Sequence, residues 1–234
     1  MKKISMARVA VAAALFAGLL SGPAHALPIT KANLQAGVFD ASSGSRSVTI
    51  LAGDLGGSAA NNVLNVSASI DFMKCGDDGT PGTALTANPG LPTACPDTVN
   101  PAFANEIVLR LRSPDAQSVV LVDFDTYFPT PGDGPTPGSR ITINFTDGAI
   151  NDVGGQTFAG GNFRPVGFLS DFINHGAIGD WILEIEDLAG GAPLGIAGFE
   201  LSVTVSDVTN GLPLPGTLLL LVAGLLGLAV TRRR

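Results

Sequence analysis

Ser170, Asp171 and His175 lie close together along the chain. They are the residue types of a nucleophilic hydrolase: a hydroxyl, an acid and an imidazole. Such a triad works only when base and nucleophile are aligned in space, and nearness in sequence does not provide that alignment. No G-x-S-x-G elbow surrounds Ser170, and neither a P-loop nor a dinucleotide-binding glycine fingerprint occurs. Of the two histidines, His25 falls in the N-terminal leader, so His175 is the sole imidazole of the body. The expectation is a protein that is not an enzyme, with no catalytic residue.

The two cysteines, Cys75 and Cys95, flank a stretch rich in Gly, Pro, Thr and Asp. No CxxC spacing supports zinc. In an exported chain the pair reads as a disulfide. Calcium is the one cofactor for which ligands are at hand, because it takes carboxylate and carbonyl oxygens from loops. Asp123 and Asp125 flank Phe124, Asp147 and Asp152 bracket a turn with Asn151, and Asp187 follows the strand that begins at Trp181. These five form a candidate calcium set. Without an EF-type ligand string, the simpler reading is a solvated acidic surface.

Charge is distributed unevenly. Residues 27–210 hold 7 basic and 20 acidic side chains, a formal charge of −13, while the other six basic residues sit at the two ends. That acidity excludes nucleic acid as a partner.

Both ends read as processing segments. Lys2, Lys3 and Arg8 precede an apolar run from Val9 to Leu20, and Ala24-His25-Ala26 fits a signal peptidase site with cleavage after Ala26. The run is short for a bilayer span. At the C-terminus, Pro213-Leu214-Pro215 precedes an apolar segment, Thr217 to Val230, and then Arg232, Arg233 and Arg234. Those 14 residues span about 21 Å as a helix, against a hydrocarbon core of roughly 30 Å. The arginines would remain cytoplasmic. This three-part tail resembles the PEP-CTERM class of sorting signals, with Leu214 in place of the usual glutamate. The resemblance implies an exosortase-type processing enzyme, transient inner-membrane anchoring and delivery to the surface or extracellular matrix of a Gram-negative bacterium.

Between the ends, period-two alternation dominates. It runs through Ser47–Leu51, Val63–Phe72, Glu106–Arg112, Ser118–Phe124, Arg140–Phe145, Trp181–Glu186 and Phe199–Val205. Alternation places every second side chain on one face of a sheet. Thirty glycines and sixteen prolines suit turns and disfavour long helices. The fold class is therefore all-β, a jelly-roll-like antiparallel β-sandwich, with a signal helix and a hydrophobic helix at the two ends. Trp181 shares its face with Leu183 and Ile185 and is read as a core plug, whereas Arg110 and Arg112 point outward.

Five segments in order carry a further resemblance: Leu111-Arg112-Ser113-Pro114, Phe163-Arg164-Pro165, Leu169-Ser170-Asp171-Phe172, Gly179-Asp180-Trp181-Ile182-Leu183 and Gly195-Ile196-Ala197-Gly198-Phe199. Over residues 105–205 this is similar to the P domain (P/Homo B) of subtilisin-like proprotein convertases. That resemblance implies a galactose-binding-like sandwich and, in some members, structural calcium.

The resulting organisation is a signal peptide at 1–26, an N-terminal arm at 27–35 and a sandwich at 36–206. A cysteine-bearing insertion occupies 73–104, and a sorting segment occupies 207–234. The functional expectation is a non-catalytic surface or matrix module, processed by signal peptidase and an exosortase-type enzyme. Its remaining partners would be exopolysaccharide or other surface proteins. The alternatives are a carbohydrate-binding lectin-like module, which calls for exposed aromatics lining a groove, and an accessory domain for a separate subtilisin-like protease.

Overall fold

The computed structural model describes residues 25–56, 61–76, 85, 90–95, 103–127, 140–155 and 159–207. The expected signal helix and hydrophobic tail, with Pro213, Pro215 and Arg232 to Arg234, lie outside the described residues. No helix among the described residues is long and apolar enough to cross a membrane.

The alternating segments become strands of two facing sheets. One sheet has the order β1(His25–Asn33), β11(Leu194–Asp207), β4(Val63–Lys74), β7(Ile141–Phe145), β9(Gly161–Arg164), β8(Asn151–Asp152), with β2(Gly37–Phe39) added beside β11. The other has the order β3(Ser42–Ile50), β10(Gly179–Asp187), β5(Ile107–Arg112), β6(Ser118–Val122). All seven alternating segments are strands, and the protein is an all-β sandwich.

Two features depart from a purely antiparallel scheme. Strand β9 runs parallel to β7, and β8 runs parallel to β9. Both are short and largely exposed, so alternation gave no sign of them. Residues 27–35, expected as an arm, instead supply most of β1, which pairs with β11 from His25↔Asp207 to Asn33↔Phe199. Pro28 within it is tolerated because β1 is an edge strand. Ala26, the expected cleavage residue, lies exposed in this strand opposite Ser206.

Inward-facing positions fill one core. From β4 come Val66, Ala68, Ile70 and Phe72, and from β10 come Trp181, Leu183 and Ile185. Trp181 is fully buried, packs edge-on against Phe172 at 5.1 Å between ring centroids, and donates its indole N–H to Ala177 O at 2.9 Å. Its role as a core plug is therefore observed. Gly179, which opens this strand, has φ +128, and a Cβ there would meet Pro114 at 2.7 Å. That explains a glycine two residues before the tryptophan.

The described residues of the cysteine-bearing segment pack against the sandwich. Met73 and Lys74 complete β4, and Cys75 is bonded to Cys95. Leu85 and Leu91 pack with Met73, both cysteines and Ala197 in a second small core outside the main one. Gly195 makes room for it, since a Cβ there would lie 2.8 Å from Leu85 and 2.9 Å from Leu91.

Candidate functional site

The structure distributes the suggested chemistry rather than collecting it. Ser170 and Asp171 lie on a 3-10 turn, Leu169–Phe172, whose first N–H groups are capped by Asp147. Asp147 accepts from Leu169 N at 2.9 Å and from Ser170 N at 2.8 Å. His175 turns to Asp115 instead, with Nδ1 at 2.6 Å from Oδ2. A carboxylate only accepts, so Nδ1 carries the proton of this bond.

The other oxygen of Asp115 accepts from Ser113 Oγ. The resulting order is Ser113–Asp115–His175, with the acid in the middle. Nucleophilic activation needs the imidazole between hydroxyl and acid, so this chain leaves Ser113 without a base. The Ser113 and His175 bonds together hold the Asp115 carboxyl below the usual carboxylate range.

The five aspartates proposed as calcium ligands each serve a local purpose. Asp123 Oδ1 accepts from the Phe124 N–H at 3.0 Å. Asp125, with φ +59, contacts Asn105 Nδ2 at 3.3 Å. Asp147 caps the turn described above, and Asp152 pairs with Arg164 at 2.8 Å. Asp187 is buried against Lys74. Among the described residues, no three His, Cys, Asp or Glu side chains form a metal-holding group.

Two outward faces remain. On the four-stranded sheet, Arg112 pairs with Glu184 at 2.8 Å and Arg110 with Glu186 at 3.6 Å, so that face neutralises itself. Both arginines do point outward. The outer face of the seven-stranded sheet is different. Register aligns Glu200, Ser69, Asn144 and Asn162 in one row across β11, β4, β7 and β9, with Ser202 beside Ser67 in a second row. These six residues line a shallow groove of about 320 Å³. Asn144 Nδ2 donates to Asn162 Oδ1 at 3.0 Å, which fixes the two amides relative to each other. The groove thus offers hydroxyls, amides and one carboxylate. Composition alone could not show it, because serines and asparagines on alternate positions look the same whether or not their rows align.

Sequence reasoning also passed over Lys74, Glu106 and Asp115. The signal for Lys74 was present: it continues the inward parity of Val66, Ala68, Ile70 and Phe72.

No family model and no curated protein matches the chain. Among solved structures it is similar to a serine protease of Aeromonas sobria, with 11% identity, a TM-score of 0.40, and 81% of this chain covered. The chain spans 29% of that protease's length. It is also similar to FlhE, with 12% identity, a TM-score of 0.31, and 78% of this chain and 97% of that one covered.

Proposed function

We propose that this chain is an exported, non-catalytic surface module of P-domain type that holds a hydroxyl-rich polymer in the groove of its seven-stranded sheet. In this reading signal peptidase cuts after Ala26. The Pro213–Pro215 tail with Arg232, Arg233 and Arg234 then directs an exosortase-type step, and the sandwich reaches the Gram-negative surface or matrix. The disulfide between Cys75 and Cys95 suits that oxidising destination.

One observation carries the reading: the aligned rows Glu200–Ser69–Asn144–Asn162 and Ser202–Ser67. A floor of donors and acceptors matches a ligand that is itself rich in both, such as an exopolysaccharide. Among the described residues, the exposed aromatics Phe103, Phe124 and Phe168 do not line this groove. Recognition there would rest on hydrogen bonds and bridging water rather than ring stacking.

The test is binding of polysaccharide from the native cell surface to the full-length protein and to Ser69→Arg, which fills the groove from its centre. The variant should fold normally and lose binding. Equal binding by both proteins would remove the groove from the proposal. For the sorting half, intact mass of the surface-exposed protein should lack residues beyond the Pro213–Pro215 segment. A mature chain retaining Arg234 would refute it.

A further inference from the structure

Lys74 is an unusual residue to find where it is. It ends β4 on the inward parity, and its side chain has no exposed surface. Nζ lies 2.7 Å from Oδ1 and 2.8 Å from Oδ2 of Asp187, which ends β10 in the facing sheet and is equally buried. Glu106, just before β5, places Oε2 3.1 Å from the same nitrogen and keeps 14% of its side chain exposed. The Leu194 N–H donates to Asp187 Oδ2 at 3.1 Å. An amine, a carboxyl group, a second carboxyl and a backbone donor therefore meet at the end of the sandwich, beside the fully buried Phe72, Ile107 and Leu194.

In water an ammonium and a carboxylate do not condense, because each charged form is inert toward the other. Burial disfavours both charged forms. It also holds the reacting atoms at near-attack separation and keeps competing water away. Consistent with this, desolvation pushes the Asp187 carboxyl up to about 6, against the opposing pull of Lys74.

We infer that Lys74 Nζ and Asp187 Cγ join in an intramolecular amide bond that links the two sheets, with Glu106 as the proton shuttle. This inference is independent of the groove and of the sorting tail.

The step balances without any outside reagent. Asp187 takes one proton from the Lys74 ammonium, leaving a neutral amine and a neutral acid. The carboxyl plane turns about its side chain, the Nζ lone pair forms a bond to Cγ, and the carbonyl π pair moves onto Oδ2, which the Leu194 N–H steadies. Glu106 removes one proton from Nζ and delivers it to the Oδ1 hydroxyl. The Cγ–Oδ1 bond then breaks, its electron pair departs with water, and the Cγ–Oδ2 π bond reforms. Three ammonium protons end as one amide N–H and two on water, Glu106 returns to its starting form, and nothing is oxidised or reduced.

The test is peptide mapping of the full-length oxidised protein. It is reduced, alkylated and digested with trypsin and a glutamate-specific protease. Glu186 precedes Asp187, so the second enzyme frees a fragment beginning at Asp187. The expected product is a branched peptide, uncut at Lys74, joined to that fragment and lighter than their sum by one water. Glu106→Gln should instead yield linear peptides, with tryptic cleavage after Lys74. A wild-type digest containing only linear Lys74 and Asp187 peptides overturns the bond, whether or not the variant folds. A variant that forms the branch as fast as wild type overturns the role of Glu106.

Discussion

Two clusters in this protein pair a basic group with carboxyl chemistry, and they behave oppositely because one is dry and the other wet. Lys74, Asp187 and Glu106 meet at the buried end of the sandwich. His175 and Asp115 meet at the surface, with side chains 37% and 43% exposed, over the buried Ser113. Burial raises the Asp187 carboxyl toward 6, while hydrogen bonds from Ser113 and His175 lower that of Asp115. A basic group beside a carboxyl thus gives a dry, charge-averse centre in one place and a solvated bridge in the other. Distance alone would not separate them, since the basic nitrogen lies 2.7 Å from the nearest carboxyl oxygen in one and 2.6 Å in the other.

The sharpest way to break the contrast is to remove the buried cation. Compared with the protein in which the pair is still ionic, Lys74→Met should cost about 3–5 kcal/mol in a denaturant melt, because two acids would then lack their counterpart. A loss under about 1 kcal/mol would place the buried cluster in the same class as surface ion pairs.

Next in size is the neighbouring bridge. Replacing both Cys75 and Cys95 by serine opens a loop with a sequence separation of 20, and should cost roughly 3 kcal/mol. Thermal unfolding under reducing and oxidising conditions checks this. A change confined to the small core of Leu85 and Leu91, with no shift in the global transition, would show that the bridge serves only its own segment.

The third prediction concerns pH, where the two clusters should have opposite signs. The folded-state pKa of Asp187 is raised, so its contribution is fully present below the ordinary carboxylate range and is lost as pH rises through about 6. In Glu106→Gln the carboxyl stays free and buried but loses the neighbouring negative charge, so stability should fall by about 2 kcal/mol as pH rises through a value that is still raised by burial but less than with Glu106 present. Asp187→Asn should abolish the decline. Asp115 is lowered, so its contribution is present above the ordinary range and is lost as pH falls through the lowered value. Wild-type protein carrying the amide should lack the Asp187 step. Melting temperature from about pH 2 to about pH 7 would read the difference, with the Asp115 loss at the acid end and the Asp187 loss toward neutrality.

The smallest effect belongs to the exposed bridge. His175→Ala should change stability by about 0–1 kcal/mol, because water and salt screen an exposed pair. A larger loss would mean that the Ser113–Asp115–His175 chain anchors its two loops more firmly than its exposure implies.

Much of the sandwich was legible because a sheet with one wet face writes itself into alternate positions. Val66, Ala68, Ile70 and Phe72 announced β4, and Trp181, Leu183 and Ile185 announced β10. Strands β8 and β9 left no such mark. Asn151, Asp152, Gly161 and Asn162 are exposed, so no apolar period could form. Strand β1 was missed because Pro28 and the adjoining leader obscured an edge strand of only modest burial. Lys74 and Asp187 were legible in parity, each continuing an inward run, yet a charged residue at such a position reads first as a strand end. The groove could not be read, because Glu200, Ser69, Asn144 and Asn162 come from four separate strands.

The sequence by itself determined the seven alternating strands, their inward faces, the buried tryptophan and the pairing of two cysteines. These follow from local periodicity and from the small number of partners a chain offers. Tertiary structure alone decided that Lys74 meets Asp187 across a sequence separation of 113, that Glu106 stands beside them, and that His175 faces an acid rather than a hydroxyl. Period two fixes the face on which a side chain stands. Which other face it meets depends on register and sheet order, and those are set by closing long loops around one shared core.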